Sequence, residues 1–230
     1  MRLLVLLSVA ALLLAPAVAV AEWSDNFDSY QLGPLHGQGG WEGWNGSPEA
    51  TAYVSDAYSL SSPNSVEIQP TSDCVQQFDD VNAGQWVFTG WVYVPTGATG
   101  EQYWILLNAY PTVGNYSWSL QVLFNMTQNV VVDYNDTSAS RPLIRDQWVE
   151  LRVEIDFAAD LQIVYYNGDQ FIMKGWTSGV EPGGALDLAA LDLYSNGASA
   201  IYWDDLWLRP DVPPVPVEDT SWGRIKASYK

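Results

Sequence analysis

Residues 148–157 alternate without a break: Val149, Leu151, Val153, Ile155 and Phe157 fall on one side, and Glu150, Arg152, Glu154 and Asp156 on the other. A period of two marks a β-strand with one buried face. The same alternation groups Trp86, Phe88, Val92 and Val94 within 85–94, and Trp118, Leu120, Val122 and Phe124 on one face of a later strand. Shorter runs rich in β-branched and aromatic residues predict strands over 24–30, 51–54, 65–68, 73–78, 103–109, 130–134, 161–166, 170–176, 186–194 and 201–209. Gly, Pro, Asn and Ser clusters punctuate them, and Asn167-Gly168 between two runs is a strong hairpin signal. No stretch before residue 218 has helical periodicity. The pattern predicts an all-β fold of two packed antiparallel sheets.

The ends of the chain say where such a sandwich works. Arg2 precedes an apolar run from Leu3 to Leu14, and Ala19-Val20-Ala21 offers a small-x-small cleavage site. A signal peptide over 1–21 is expected, with the mature chain starting at Glu22 and located outside the cell or in its envelope. Pro16, the alanine-rich end and the lack of a basic flank argue against a retained anchor, and no other stretch approaches a membrane span. The remainder suits one domain over 22–209. Residues 210–218 are proline-rich and predict a stiff linker. In the tail, 219–230, Asp219 or Thr220 would cap a short helix with Trp222, Ile225 and Tyr229 along one side. The tail resembles the Trp-Gly-x-Ile-Lys endings of some secreted bacterial proteins.

Charge narrows the partners. A formal net charge of −18 excludes the basic footprint that nucleic acid requires and disfavours anionic membrane surfaces. It suits neutral glycans, divalent cations, or plain solubility. Cys74 is the only cysteine, so the chain has no internal disulfide and its thiol is expected to be buried in a strand.

Three motifs carry a resemblance. Asp25-Asn26-Phe27-Asp28 reads acidic-x-Phe-acidic, the strands at 148–156 and 161–166 end in Asn167-Gly168, and Ile201-Tyr202-Trp203-Asp204-Asp205-Leu206-Trp207-Leu208 reads apolar–Asp–Asp–apolar. In this order, over 24–209, they resemble the opening, paired and closing strands of the concanavalin-A-like lectin/glucanase (laminin-G-like) jelly-roll superfamily in its secreted bacterial form. The resemblance implies a two-sheet jelly-roll β-sandwich, a fold shared by enzymes, lectin-like modules and structural domains. It also implies a structural Ca²⁺ held by acidic groups of the first and last strands, here Asp25, Asp28, Asp204 and Asp205. The alternative for Asp204 and Asp205 is bonding to backbone amides at a bulge, or exposure to water.

Catalytic arrangements find little support in the sequence. The related hydrolases carry Glu-x-Asp-x-(x)-Glu on one strand, and here Arg152 stands where the central Asp belongs. On a regular strand Glu150 and Glu154 lie about 13 Å apart, wider than glycosidase geometry. His36, the one histidine, sits in a glycine-rich turn, which leaves no triad and no zinc spacing. The aromatic content points elsewhere, since the 12 Trp and 13 Tyr include several turned away from the expected core. Aromatic rings stack on the apolar faces of sugars while amides bind their hydroxyls. The candidates are Trp41 and Trp44 in the glycine-rich loop, Trp91 and Tyr93 opposite Trp86 and Phe88, and Gln121 and Asn125 in a polar row with Ser119. The expected function is a non-catalytic carbohydrate-binding or adhesive module; the alternatives are a diverged extracellular polysaccharide hydrolase or lyase on this fold and a structural cell-envelope domain.

Overall fold

Strand-forming alternation becomes structure almost everywhere it was strongest. The computed structural model describes residues 22–111 and 115–211. The signal peptide, most of the linker and the capped tail expected from the sequence therefore fall outside the described residues. In chain order the strands are β1 (Trp23–Asp25), β2 (Gly33–Pro34), β3 (Glu42–Gly43), β4 (Tyr53–Ser55), β5 (Ser65–Ile68), β6 (Asp73–Gln77), β7 (Gln85–Tyr93), β8 (Glu101–Ala109), β9 (Ser117–Asn125), β10 (Val130–Asp133), β11 (Asp136–Pro142), β12 (Trp148–Asp156), β13 (Leu161–Tyr166), β14 (Asp169–Gly175), β15 (Ala190–Ser195) and β16 (Ile201–Pro210). Two single-turn 3₁₀ segments, Trp44–Gly46 and Pro48–Ala50, are the helical elements among the described residues.

The strands form two antiparallel sheets packed as a jelly-roll sandwich. The first runs β14-β13-β12-β7-β16-β5-β4-β2, with β1 beside β16; the second runs β11-β10-β9-β8-β15-β6-β3. Neighbours in sequence are often not neighbours in a sheet, so β7 lies between β12 and β16, and β15 between β8 and β6. Two-sheet burial explains the core: β12 turns Val149, Leu151, Val153 and Ile155 inward, as its alternation predicts. Facing them are Trp104, Leu106, Leu120, Val122 and Phe124 of the second sheet. Trp104 is the hub, its ring 5.0 Å from Phe88 and 4.7 Å from Trp203. It has room because Gly90 lies against it; a Cβ there would come within 2.9 Å of the indole and 2.7 Å of Leu206. At the other hairpin, Asn167 and Gly168 both take positive φ, 52° and 82°, as a tight β-turn of the primed type requires.

Three departures from the pattern have physical causes. The run 24–30 is a strand only to Asp25, because the Asp25 carboxylate accepts the Phe27 amide at 2.9 Å and Phe27 turns the chain at φ 60°. Strand β11 is polar on both faces and gave no alternation, being the outermost strand of the second sheet with water on its free edge. Trp118 does not share the inner face of Leu120, Val122 and Phe124. The β8–β9 ladder slips twice, pairing Leu106 with Leu120 but Leu107 with Trp118, so Trp118 emerges on the outer face. Ser119, assigned to the outer polar row, is instead fully buried, where its hydroxyl accepts the Asn108 side-chain amide at 2.8 Å. Cys74 is a buried free thiol, as expected.

Candidate functional site

The outer face of the second sheet is unlike an ordinary solvated strand face. Val75, Tyr103, Ile105, Leu107, Leu123, Val132 and Ala190 form a second apolar cluster there, separate from the inter-sheet core. They are covered because loops from distant parts of the chain rise around them. Asn45 takes φ 57° in the Trp44–Gly46 turn and links two rings, its amide donating to the Tyr110 hydroxyl at 2.8 Å and its side-chain oxygen accepting from Tyr116. Trp44 packs against both tyrosines with centroids 4.9 Å away, and Tyr116 leads on to Trp118 at 6.5 Å. On the opposite bank Tyr103 sits between Tyr134 and Tyr194, at 5.5 and 5.6 Å. Between the two banks runs a groove of about 370 Å³, with Gln121 and Asn196 among its lining residues, a size that suits a small-molecule or sugar-ring site.

Its floor carries two acids that sequence reasoning did not single out. Asp73 on β6 pairs with Tyr194 and Asp192 on β15 pairs with Val75, so the two aspartates are diagonal neighbours on one face. Their carboxyls hydrogen bond to each other. Asp73 Oδ1 and Asp192 Oδ1 are closed to solvent and meet no N–H or hydroxyl donor. Burial, foremost, and then the Asp73 charge and the bond to Asp73 push Asp192 well above the usual carboxylate range; burial raises Asp73 too, while the shared bond lowers it. Glycosidase carboxyls stand roughly 5–9.5 Å apart across the scissile bond, whereas this pair is in contact, so the two cannot flank one. A signal was present in hindsight: Asp192 interrupts the apolar run Leu191–Leu193 at an alternating position.

The candidates named from the sequence scatter over the molecule. Trp44 and Gln121 line the groove. Asn125 is on the same sheet at its far end, its side-chain amide donating to Glu101 at 3.0 Å. Trp41 is corrected: it is fully buried, and its indole N–H donates to Asp25 at 2.8 Å, so it plugs the core and offers no ring face. Trp91 and Tyr93 belong to the outer face of the other sheet; Tyr93 stacks on Tyr58 at 4.4 Å, while Trp91 shares a hollow with Asp205 and Trp207. His36 is a turn residue whose Nδ1 accepts the Gly43 amide.

The four acids matched to calcium have other partners. Asp25 accepts from Phe27, Tyr30 and Trp41. Asp204 accepts the amides of Leu60, Ser61 and Asp205, and burial pushes it up to about 7. Asp205 sits at the β16 bulge and accepts from the Ser61 hydroxyl. Asp28 accepts the Asn64 amide beside the main-chain oxygens of Phe27, Asp28 and Tyr30, which all lie 3.4–3.5 Å from Asn64 Nδ2. Oxygen-rich surroundings of the kind calcium favours occur at Asp28 and in the hollow that Asp25 and Asp205 share with Ser24, Asn26 and Ser29, and no group of three His, Cys, Asp or Glu able to hold a metal occurs among the described residues.

No protein-family model and no curated protein matches the chain. Similar solved structures include the "Cellulose induced protein, Cip1", 12% identical over 81% of this chain and 96% of that one, with a TM-score of 0.52. A carbohydrate esterase from Shiga toxin-encoding bacteriophage phi24B is 12% identical over 83% of this chain and all of that one, also at 0.52. A sialidase is 8% identical with a TM-score of 0.56; the match covers 83% of this chain but only 18% of the sialidase. At these identities the likeness is one of fold. Among the described residues no helix is long and apolar enough to cross a membrane.

Proposed function

We propose that this protein is a non-catalytic carbohydrate-binding module whose ligand lies in the groove on the outer face of the second sheet. The observation that carries this reading is the pairing of two aromatic banks with a polar floor, Trp44 and Trp118 on one side, Tyr103, Tyr134 and Tyr194 on the other, with Gln121 between them and Asn196 beyond the tyrosines. Rings so placed meet the apolar faces of a sugar, and amides and carboxyls meet its hydroxyls. The carbohydrate-related names of the fold's neighbours agree with it.

Titration calorimetry against glucan, xylan, mannan and chitin-derived oligomers tests the proposal. At least one class binds, and Trp118→Ala weakens it about tenfold, the equivalent of one stacked ring at roughly 1.4 kcal/mol. Binding untouched by Trp118→Ala would place the ligand elsewhere. Release of new reducing ends from any bound polymer would instead establish a diverged polysaccharide-cleaving enzyme.

A further inference from the structure

We infer that the groove is selective for a cationic sugar, an amino-sugar unit with a free ammonium seated between the aromatic banks and above the Asp73–Asp192 pair. This rests on the glycan-binding reading of the same groove and adds the substrate class.

The first argument is the groove's charge inventory. Its lining contains two carboxyls and several aromatic rings but no Lys, Arg or His. A third carboxylate, Glu101, stands at one end, accepting from Tyr103 at 3.3 Å and from the groove residue Asn196 at 3.4 Å. Nothing basic offsets these acids within the groove, and the chain as a whole carries −18. An acidic sugar would be repelled, and a neutral sugar would leave the excess of negative charge as it is.

The second argument is an unmet demand for donors. Asp192 lines the groove yet is 3% exposed, and Oδ1 of Asp73 and Oδ1 of Asp192 each have no donor from the protein. A buried polar atom without a partner is costly and uncommon. One shared proton relieves the contact between the two carboxyls and leaves them with no donor beyond each other. An ammonium brings three N–H donors and the missing positive charge together.

The third argument is the rings. Aromatic faces are negative, and several arranged around one point attract a cation most strongly where water is excluded. Tyr103 and Tyr194 sit beside the acid pair in the ladder, Tyr194 directly opposite both Asp73 and Tyr103. Quaternary ammonium groups of the choline kind also fit aromatic boxes, but they carry no N–H. They would leave the carboxyls, Gln121 and Asn196 without the hydrogen bonds that an amino sugar and its hydroxyls supply.

The test is calorimetric titration of the full chain with a glucosamine tetramer, its fully N-acetylated form, a glucan tetramer and choline chloride, at mildly acidic pH. The glucosamine tetramer is expected to bind about tenfold or more tightly than the other tetramers, as a charge-assisted contact provides. Asp192→Asn and Asp73→Asn each abolish that preference, and thermal melting checks that at least one of them is folded. Glu154→Gln, which removes an equal charge from the other outer face, leaves it intact and so separates the groove from bulk acidity. Equal binding of the neutral tetramers, still lost in Trp118→Ala, would overturn the cationic specificity while the glycan-binding reading stood. Choline binding as tight as the glucosamine tetramer would overturn the sugar assignment. Failure of every oligomer to bind would overturn the glycan-binding reading itself.

Discussion

On the first sheet, Arg152 and Glu154 stand on an outer face open to water, 3.5 Å apart, with the Arg152 guanidinium 4.2 Å from the Tyr165 ring centre. On the second sheet, Tyr103, Ile105 and Leu107 hold the equivalent outward positions of β8 and are buried. Both faces obey the same alternation. What separates them is cover: the Trp44–Gly46 turn, Tyr110 and Tyr116 wall in one face, while the described chain leaves the other open. Strand periodicity thus distinguishes the inside of the sandwich from its outside, whereas a binding face depends on what distant loops bring over it.

The largest effect that would sharpen this contrast is on stability. Leu107→Ala on the groove side should cost about 2–5 kcal/mol, as in a true core, although it points away from the other sheet. Glu154→Ala on the open face should cost less than about 1 kcal/mol, as for an exposed pair. Urea unfolding of both variants gives the comparison, and equal small losses would mean that the groove floor is not packed like an interior.

Next in size is the dependence on pH. Burial raises Asp73, Asp187, Asp192 and Asp204, the last to about 7. A carboxyl raised in the folded state favours folding while protonated. Its contribution is complete below the ordinary value of 3.8 and is lost as pH climbs through the raised one. Asp136, Asp146, Asp156 and Asp160 are shifted the other way by hydrogen bonds to their charged forms, and lose their contribution only as pH falls below that ordinary value. Scanning calorimetry should therefore show the melting temperature rising as pH drops from about 7 toward about 4, with a shallower rise in Asp192→Asn. A melting temperature that falls over this interval would contradict the buried-acid account.

The smallest effect concerns calcium on the first-sheet side. Since Asp25 and Asp204 already accept several donors each, added Ca²⁺ should raise the melting temperature by no more than about 2–4 °C, equivalent to roughly 1 kcal/mol. A larger rise, lost in Asp28→Ala, would mean that the oxygens around Asn64 take a metal strongly enough to rearrange that turn.

Much of the architecture was legible because alternation is a local property: β5 and β13 fall on their predicted bounds, and β7, β12 and β16 lie within a residue of theirs. The site was legible only in fragments. Trp44 and Trp41 lie three residues apart in one glycine-rich loop, yet one walls the groove and the other fills the core, a choice made by Asp25 accepting the Trp41 indole. Asp73 and Asp192 are far apart in the chain, and only the pairing of β6 with β15 makes them a pair. Trp118 was misassigned because a bulge leaves no mark in a hydrophobic pattern.

That bulge has an evolutionary side. Because Ser119 is the supernumerary residue of β9, its loss would leave Trp118 paired with Leu107 in regular register and still facing the groove, so the bulge absorbs a one-residue change in strand length without turning Trp118 inward. A groove wall built on such a bulge keeps its outward residue through the gain or loss of the extra one. Relatives aligned position by position without gaps would set this tryptophan against a core residue and hide the very position that distinguishes them.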